Sequence, residues 1–79
     1  MTIDEWLREI ALWCPPPVIS WGRLAWSLDE VITAQAEGLS LGRFSPDVFC
    51  QETVRLVASV SETYPSYGVI CEVLRGYQS

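Results

Sequence analysis

The chain contains no histidine, no lysine and no asparagine. Without an imidazole it lacks the side chain that acid–base catalysis at neutral pH uses most often. The usual zinc combinations shrink to bare thiolates. Its five cationic residues are all arginines, set against ten carboxylates for a net charge of −5. That sign argues against nucleic acid, whose phosphates demand a basic face, and equally against anionic membrane surfaces. It suits a partner with a basic surface, and it also serves solubility.

Cysteine is sparse, and nothing in its spacing pairs it. Cys14, Cys50 and Cys71 are an odd set with no CxxC unit, which is neither a disulfide framework nor a metal site. Reduced, buried thiols in a cytoplasmic protein are the expectation. Cys14 falls on an apolar helix face, whereas Cys50 and Cys71 neighbour Glu52 and Glu72, carboxylates that would oppose a thiolate. The paired acids Asp4-Glu5 and Asp29-Glu30 fall in first helical turns, where they complement the helix dipole. Gly38 and Gly42 frame a turn, without the strand or the lysine of a phosphate loop. We therefore expect no catalytic residue, no cofactor and no metal, and a protein that is not an enzyme.

Long hydrophobic runs are missing too. The longest uncharged stretch, Ile10 to Gly22, is interrupted by Pro15, Pro16 and Pro17 and is too short to span a bilayer. The first residues carry acids where a secretory signal would carry bases. No membrane association is expected.

What is present is apolar and helical in rhythm. Hydrophobic residues make up 49% of 79 positions, enough for one domain over residues 1–79. A core of this size contributes only about 3–5 kcal/mol, so a partner or a second copy of the chain would matter. Thr2 and Glu5 form a capping box with Met1 and Trp6 as its hydrophobic staple. Ile3, Trp6, Leu7, Ile10, Ala11, Trp13 and Cys14 then keep the i, i+3, i+4 spacing of one helix face. Leu12 sits on the polar side, and the three prolines end the helix. Ser20 could cap a short helix through Ala25. Ser27 and Glu30 make a second capping box, stapled by Trp26 and Val31. Leu28, Val31, Ile32 and Gln35 share a face, and Gly38 suits a left-handed stop followed by Leu39. A third helix is predicted from Ser45, with Pro46 at its first position and Phe44 and Phe49 as staple, to about Thr63. Residues 66–75 have helical spacing but also strand character; a lone strand would have nothing to pair with. The expected fold is all-α, a compact bundle of about four short helices.

Residues 27–49, SLDEVITAQAEGLSLGRFSPDVF, resemble the helix-turn-helix of arabinose-regulator-type transcription factors. In that family an SLEEL-like helix leads through a Gly-Leu-Ser turn to an RFS-like recognition helix. The resemblance covers about a quarter of the chain and implies a DNA-binding regulator with Arg43 near the DNA. It departs from the family in the longer stretch from Ile32 to Gly38. Pro46-Asp47 also places a proline and an acid where a recognition helix would face DNA.

Tryptophan is the surplus. Trp6, Trp13, Trp21 and Trp26 crowd into the first third of the chain, and interfaces favour Trp, Tyr and Arg. Trp6 and Trp26 have staple roles and Trp13 follows the core stripe. Leu12, Pro15, Pro16, Pro17, Trp21 and Arg23 remain as a candidate partner-binding patch. The leading expectation is a non-enzymatic protein-binding accessory protein: a small inhibitor, adaptor or assembly chaperone. A phage-encoded anti-defence inhibitor of a host complex is one version of it. A self-assembling structural or phage morphogenesis subunit, working as a homodimer or larger oligomer, stands second. The helix-turn-helix regulator stands third.

Overall fold

The computed structural model describes residues 1–15 and 27–79. They form four α-helices: α1 (Ile3–Trp13), α2 (Leu28–Leu41), α3 (Gln51–Val60) and α4 (Tyr67–Gln78). A short 3-10 turn, Pro46–Val48, precedes α3, and the described residues contain no strand. The all-α expectation holds, and the ambiguous last segment is a helix. The short helix expected over residues 20–25 and the Trp26 staple lie outside the described residues.

Helix starts follow local chemistry. Thr2 Oγ1 accepts from the Glu5 amide and Glu5 Oε1 accepts from the Thr2 amide, both at 3.1 Å, the reciprocal pattern of a capping box. Ser27 Oγ accepts from the Glu30 amide at 3.2 Å, while its hydroxyl donates to Glu30 Oε1. Ser66 Oγ accepts from the Val69 amide at the start of α4.

Helix ends and the start of α3 differ from expectation. Gly38 does not stop α2, which runs on to Leu41. A Cβ at Gly38 would lie 2.9 Å from the Tyr67 ring, so this glycine lets α4 approach closely. The left-handed residue falls instead on Arg43, at φ 59°. Pro46 opens only the 3-10 turn. Cys50 then returns to extended backbone, at φ −137° and ψ 172°, and caps α3. The break is held by Thr53, whose hydroxyl donates to the Val48 and Cys50 carbonyls and accepts from the Cys50 amide. The kink also turns Phe49 inward, edge-on to Trp6 at 5.3 Å between ring centres, with Phe44 edge-on to Phe49 at 6.5 Å. The Phe44–Phe49 pair survives although the helix it was meant to staple begins later. At its other end α3 stops at Val60, because Ser61 is extended and the chain turns inward at Tyr64 and Pro65.

α1 and α3 run parallel. Trp6 Nε1 donates to Thr53 Oγ1 at 2.9 Å and to the Cys50 carbonyl at 3.2 Å near the start of both helices. The Cys14 thiol reaches the Ser61 carbonyl at 3.4 Å near their ends. α2 packs on α1 and α4 packs on α3. Tyr77 and Gln78 of α4 return to Cys50 and Ser45, so α4 is antiparallel to α3. The fully buried side chains Trp6, Leu7, Ile10, Ile32, Val54, Val57, Ile70 and Leu74 meet between the helices. Among the described residues α2 and α3 share no substantial contact, and the turns between them span Gly42 to Cys50. The tight two-helix unit implied by the resemblance to DNA-binding regulators is therefore not the arrangement formed here.

Gln35 shows how the polar member of the α2 face is accommodated. Its Oε1 accepts from the Tyr64 hydroxyl at 2.7 Å and its Nε2 donates to the Pro65 carbonyl at 3.3 Å. No buried side-chain nitrogen or oxygen among the described residues lacks a partner. Such satisfaction is what a small core requires, since an orphaned buried polar group costs about 1–3 kcal/mol.

Candidate protein-binding surface

The last turn of α1 carries the feature that core packing does not absorb. Leu12 is 79% exposed, as its place on the polar side of the helix requires. Pro15 is exposed as well, and its carbonyl accepts from the Tyr64 amide at 3.3 Å, tying the end of α1 to the turn after α3. Pro16, Pro17, Trp21 and Arg23, the other candidate residues, lie outside the described residues.

Trp13 differs from expectation. Its spacing puts it on the core stripe, yet it is 57% exposed while Trp6, two turns earlier on the same line, is fully buried. The difference lies in what each meets. Trp6 is enclosed by Phe49, Cys50 and Thr53. Beside Trp13, α3 has reached its end at Val60, itself 63% exposed. One turn back Leu56 is 40% exposed. By spacing, Val60 falls near the line of Thr53 and Val57 on α3, both fully buried. Sequence reasoning missed this group; the only signal was that both stripes run on to the ends of their helices.

Charge is arranged unevenly around this end. Arg8 donates to Asp4 and to Asp29, each at 2.8 Å, which fixes it on the α2 side of α1. Those two carboxylates, Asp4 first, push the Arg8 guanidinium further above its ordinary value. Glu5 is held below the usual carboxylate range by the Thr2 amide and hydroxyl. Among the described residues, Glu9, Glu52 and Glu62 take part in no ion pair.

The cysteines are all free. Burial pushes the Cys14 thiol up. Cys50 corrects the expectation of a disfavoured thiolate: the Thr53 amide at the start of α3 holds its thiol below the ordinary value, despite Glu52 nearby. Among the described residues no group of three or more cysteines and carboxylates is placed to hold a metal ion. Two shallow hollows stand out among the described residues. One of about 280 Å³ is lined by Ala34, Gln35, Gly38 and Tyr67, and one of about 220 Å³ lies among Met1, Ile3, Leu39, Phe44 and Phe49. Neither is lined by an acidic or basic side chain. Among the described residues no helix is long and apolar enough to cross a membrane.

Comparison with protein-family models, with curated proteins and with solved structures yields no match for this chain.

Proposed function

We propose that this chain is a non-enzymatic protein-binding module, a small inhibitor, adaptor or assembly chaperone working in the cytoplasm, which engages its partner through the end of α1. The observation that supports the reading is the exposure of Trp13 and Leu12 on a helix whose Trp6, Leu7 and Ile10 are completely buried. An indole left in water is wasted apolar area for a 79-residue fold, and it is the side chain that most often anchors an interface. The absence of histidine removes the commonest acid–base catalyst.

The test is affinity purification of the tagged chain from its native source, beside a Leu12→Ser/Trp13→Ser variant. Circular dichroism first checks that both are equally helical. The wild-type chain should retain a stoichiometric protein that the variant loses. A wild-type chain recovered alone and monomeric would refute the proposal. A wild-type chain recovered as an oligomer of itself would replace it with the self-assembly reading.

A further inference from the structure

We propose that the last turn of α4 is a latch across the start of α3, which opens at Gly76 while the rest of the fold stays closed. The latch lies apart from Leu12 and Trp13 and does not depend on the protein-binding reading.

The antiparallel run of α4 along α3 sets where the latch fastens. Tyr77 reaches the start of α3, where its hydroxyl donates to Glu52 Oε2 at 3.2 Å and accepts from the Cys50 thiol at 3.9 Å. Gln78 reaches the preceding turn, and its Oε1 accepts from the Ser45 amide at 3.1 Å. Ser45 and Cys50 stand on either side of the 3-10 turn Pro46–Val48. Two adjacent residues of α4 thus clasp the break before α3 from both sides.

Little holds the latch shut. Leu74 is the last buried side chain of α4, and Arg75, Gly76, Tyr77 and Gln78 are all exposed. The clasp therefore rests on hydrogen bonds open to solvent, which exchange for bonds to water at small net cost. Gly76 lies between Leu74 and the clasp, and glycine weakens a helix more than any residue but proline. Packing does not ask for it. A Cβ at Gly76 would meet nothing within 4 Å, whereas one at Gly38 would run into Tyr67. Segments with few buried contacts and exposed hydrogen bonds open far more readily than the whole domain unfolds. In the open form Ser45, Cys50 and Glu52 lose their partners on α4. Thr53 still holds the start of α3 through Val48, Cys50 and Trp6.

Amide hydrogen exchange of the isotopically labelled chain, read residue by residue, tests the proposal. The Ser45, Tyr77 and Gln78 amides should exchange together, ahead of Ile70 and Leu74, and respond little to urea of about 1 M. Gly76→Ala should slow all three about fivefold, which is the helix preference of alanine over glycine expressed as a rate. Tyr77→Phe leaves the Gln78–Ser45 bond in place, yet should speed exchange at Ser45 about fivefold because the two residues move as one. Ile10→Val thins the core on α1, where Ile10 is fully buried. It should speed exchange at Ile70 and Leu74 and leave Ser45 within about twofold. Were the Gln78 side chain merely swinging aside by itself, Tyr77→Phe would leave the Ser45 amide unchanged, and that result overturns the latch. Ser45 exchanging at the rate and urea slope of Ile70, or Gly76→Ala without slowing, overturns it too.

Discussion

Thr53→Val keeps the shape of a fully buried side chain and deletes one hydroxyl from the junction that starts α3. A hydroxyl has one hydrogen to give and two lone pairs to offer, and Thr53 uses all of this capacity. Its one hydrogen is shared between the Val48 and Cys50 carbonyls, and it accepts from Trp6 Nε1–H and the Cys50 amide. None of the deserted groups becomes wholly orphaned. Trp6 Nε1 keeps the Cys50 carbonyl at 3.2 Å, and the Cys50 amide keeps the Val48 carbonyl at 3.1 Å. The loss is therefore about three hydrogen bonds at about 1 kcal/mol each, offset by about 1 kcal/mol from burying a methyl in place of the hydroxyl. Helix propensity is nearly equal for the two residues. The expected net destabilisation is about 2 kcal/mol, or a fall in Tm of about 10 °C for a domain of this size. If Thr53 merely filled space, the same change would stabilise the fold by about 1 kcal/mol, so the sign alone decides. Urea unfolding followed by tryptophan fluorescence is the assay, with the midpoint lowered and the slope unchanged. A midpoint equal to or above that of the wild-type chain would refute the assignment of Thr53 as the hub of this break.

Arg43 occupies left-handed backbone without being glycine, so Arg43→Gly should stabilise the fold by about 0.5–1 kcal/mol in the same urea experiment. Cys50 should be alkylated by iodoacetamide before Cys14 and Cys71, with a pH midpoint below that of a free thiol, and mass spectrometry of partly modified protein reads the order. Burial pushes the Tyr64 phenol above its ordinary value. Its folded pKa thus exceeds the unfolded one, so the stability it contributes is complete below pH of about 10 and is lost as pH rises beyond it. Tyr64→Phe should be less stable at neutral pH, because Gln35 loses its 2.7 Å donor, and should lose less stability in alkali. The slope that remains in alkali belongs in part to Tyr77, whose bonds to Cys50 and Glu52 push its phenol up to about 12.

Helix starts were legible because their chemistry is local. Thr2 with Glu5 and Ser27 with Glu30 need only neighbours three residues away. The start of α3 was not, because the break at Cys50 is held by a hydroxyl that also serves Trp6, distant in sequence. Gly38 carried a stop signal that α2 overrides, since its lack of a side chain is needed by Tyr67 of α4 and not by the backbone. The candidate site was legible only in part. Leu12 stood out by breaking the pattern of α1, whereas Trp13 obeyed the pattern and so concealed its exposure. Periodicity tells which way a side chain faces; the length of the facing helix decides whether anything is there to cover it.

That distinction separates a covered indole from an exposed one along a single helix. At the Trp6 end the 3-10 turn delivers Phe49 and the kinked start of α3 delivers Thr53, so the indole is enclosed and its N–H is satisfied. At the Trp13 end α3 has stopped, and the chain beyond it commits Tyr64 and Pro65 to Gln35 on the α2 side. The same two-turn spacing thus yields a core residue at one end and an exposed one at the other. Because Trp13 and Val60 contribute little to the interior, their surface can change without unfolding the domain. Physical separation of this kind lets a chain of 79 residues keep a satisfied core while an indole stays exposed at the end of α1.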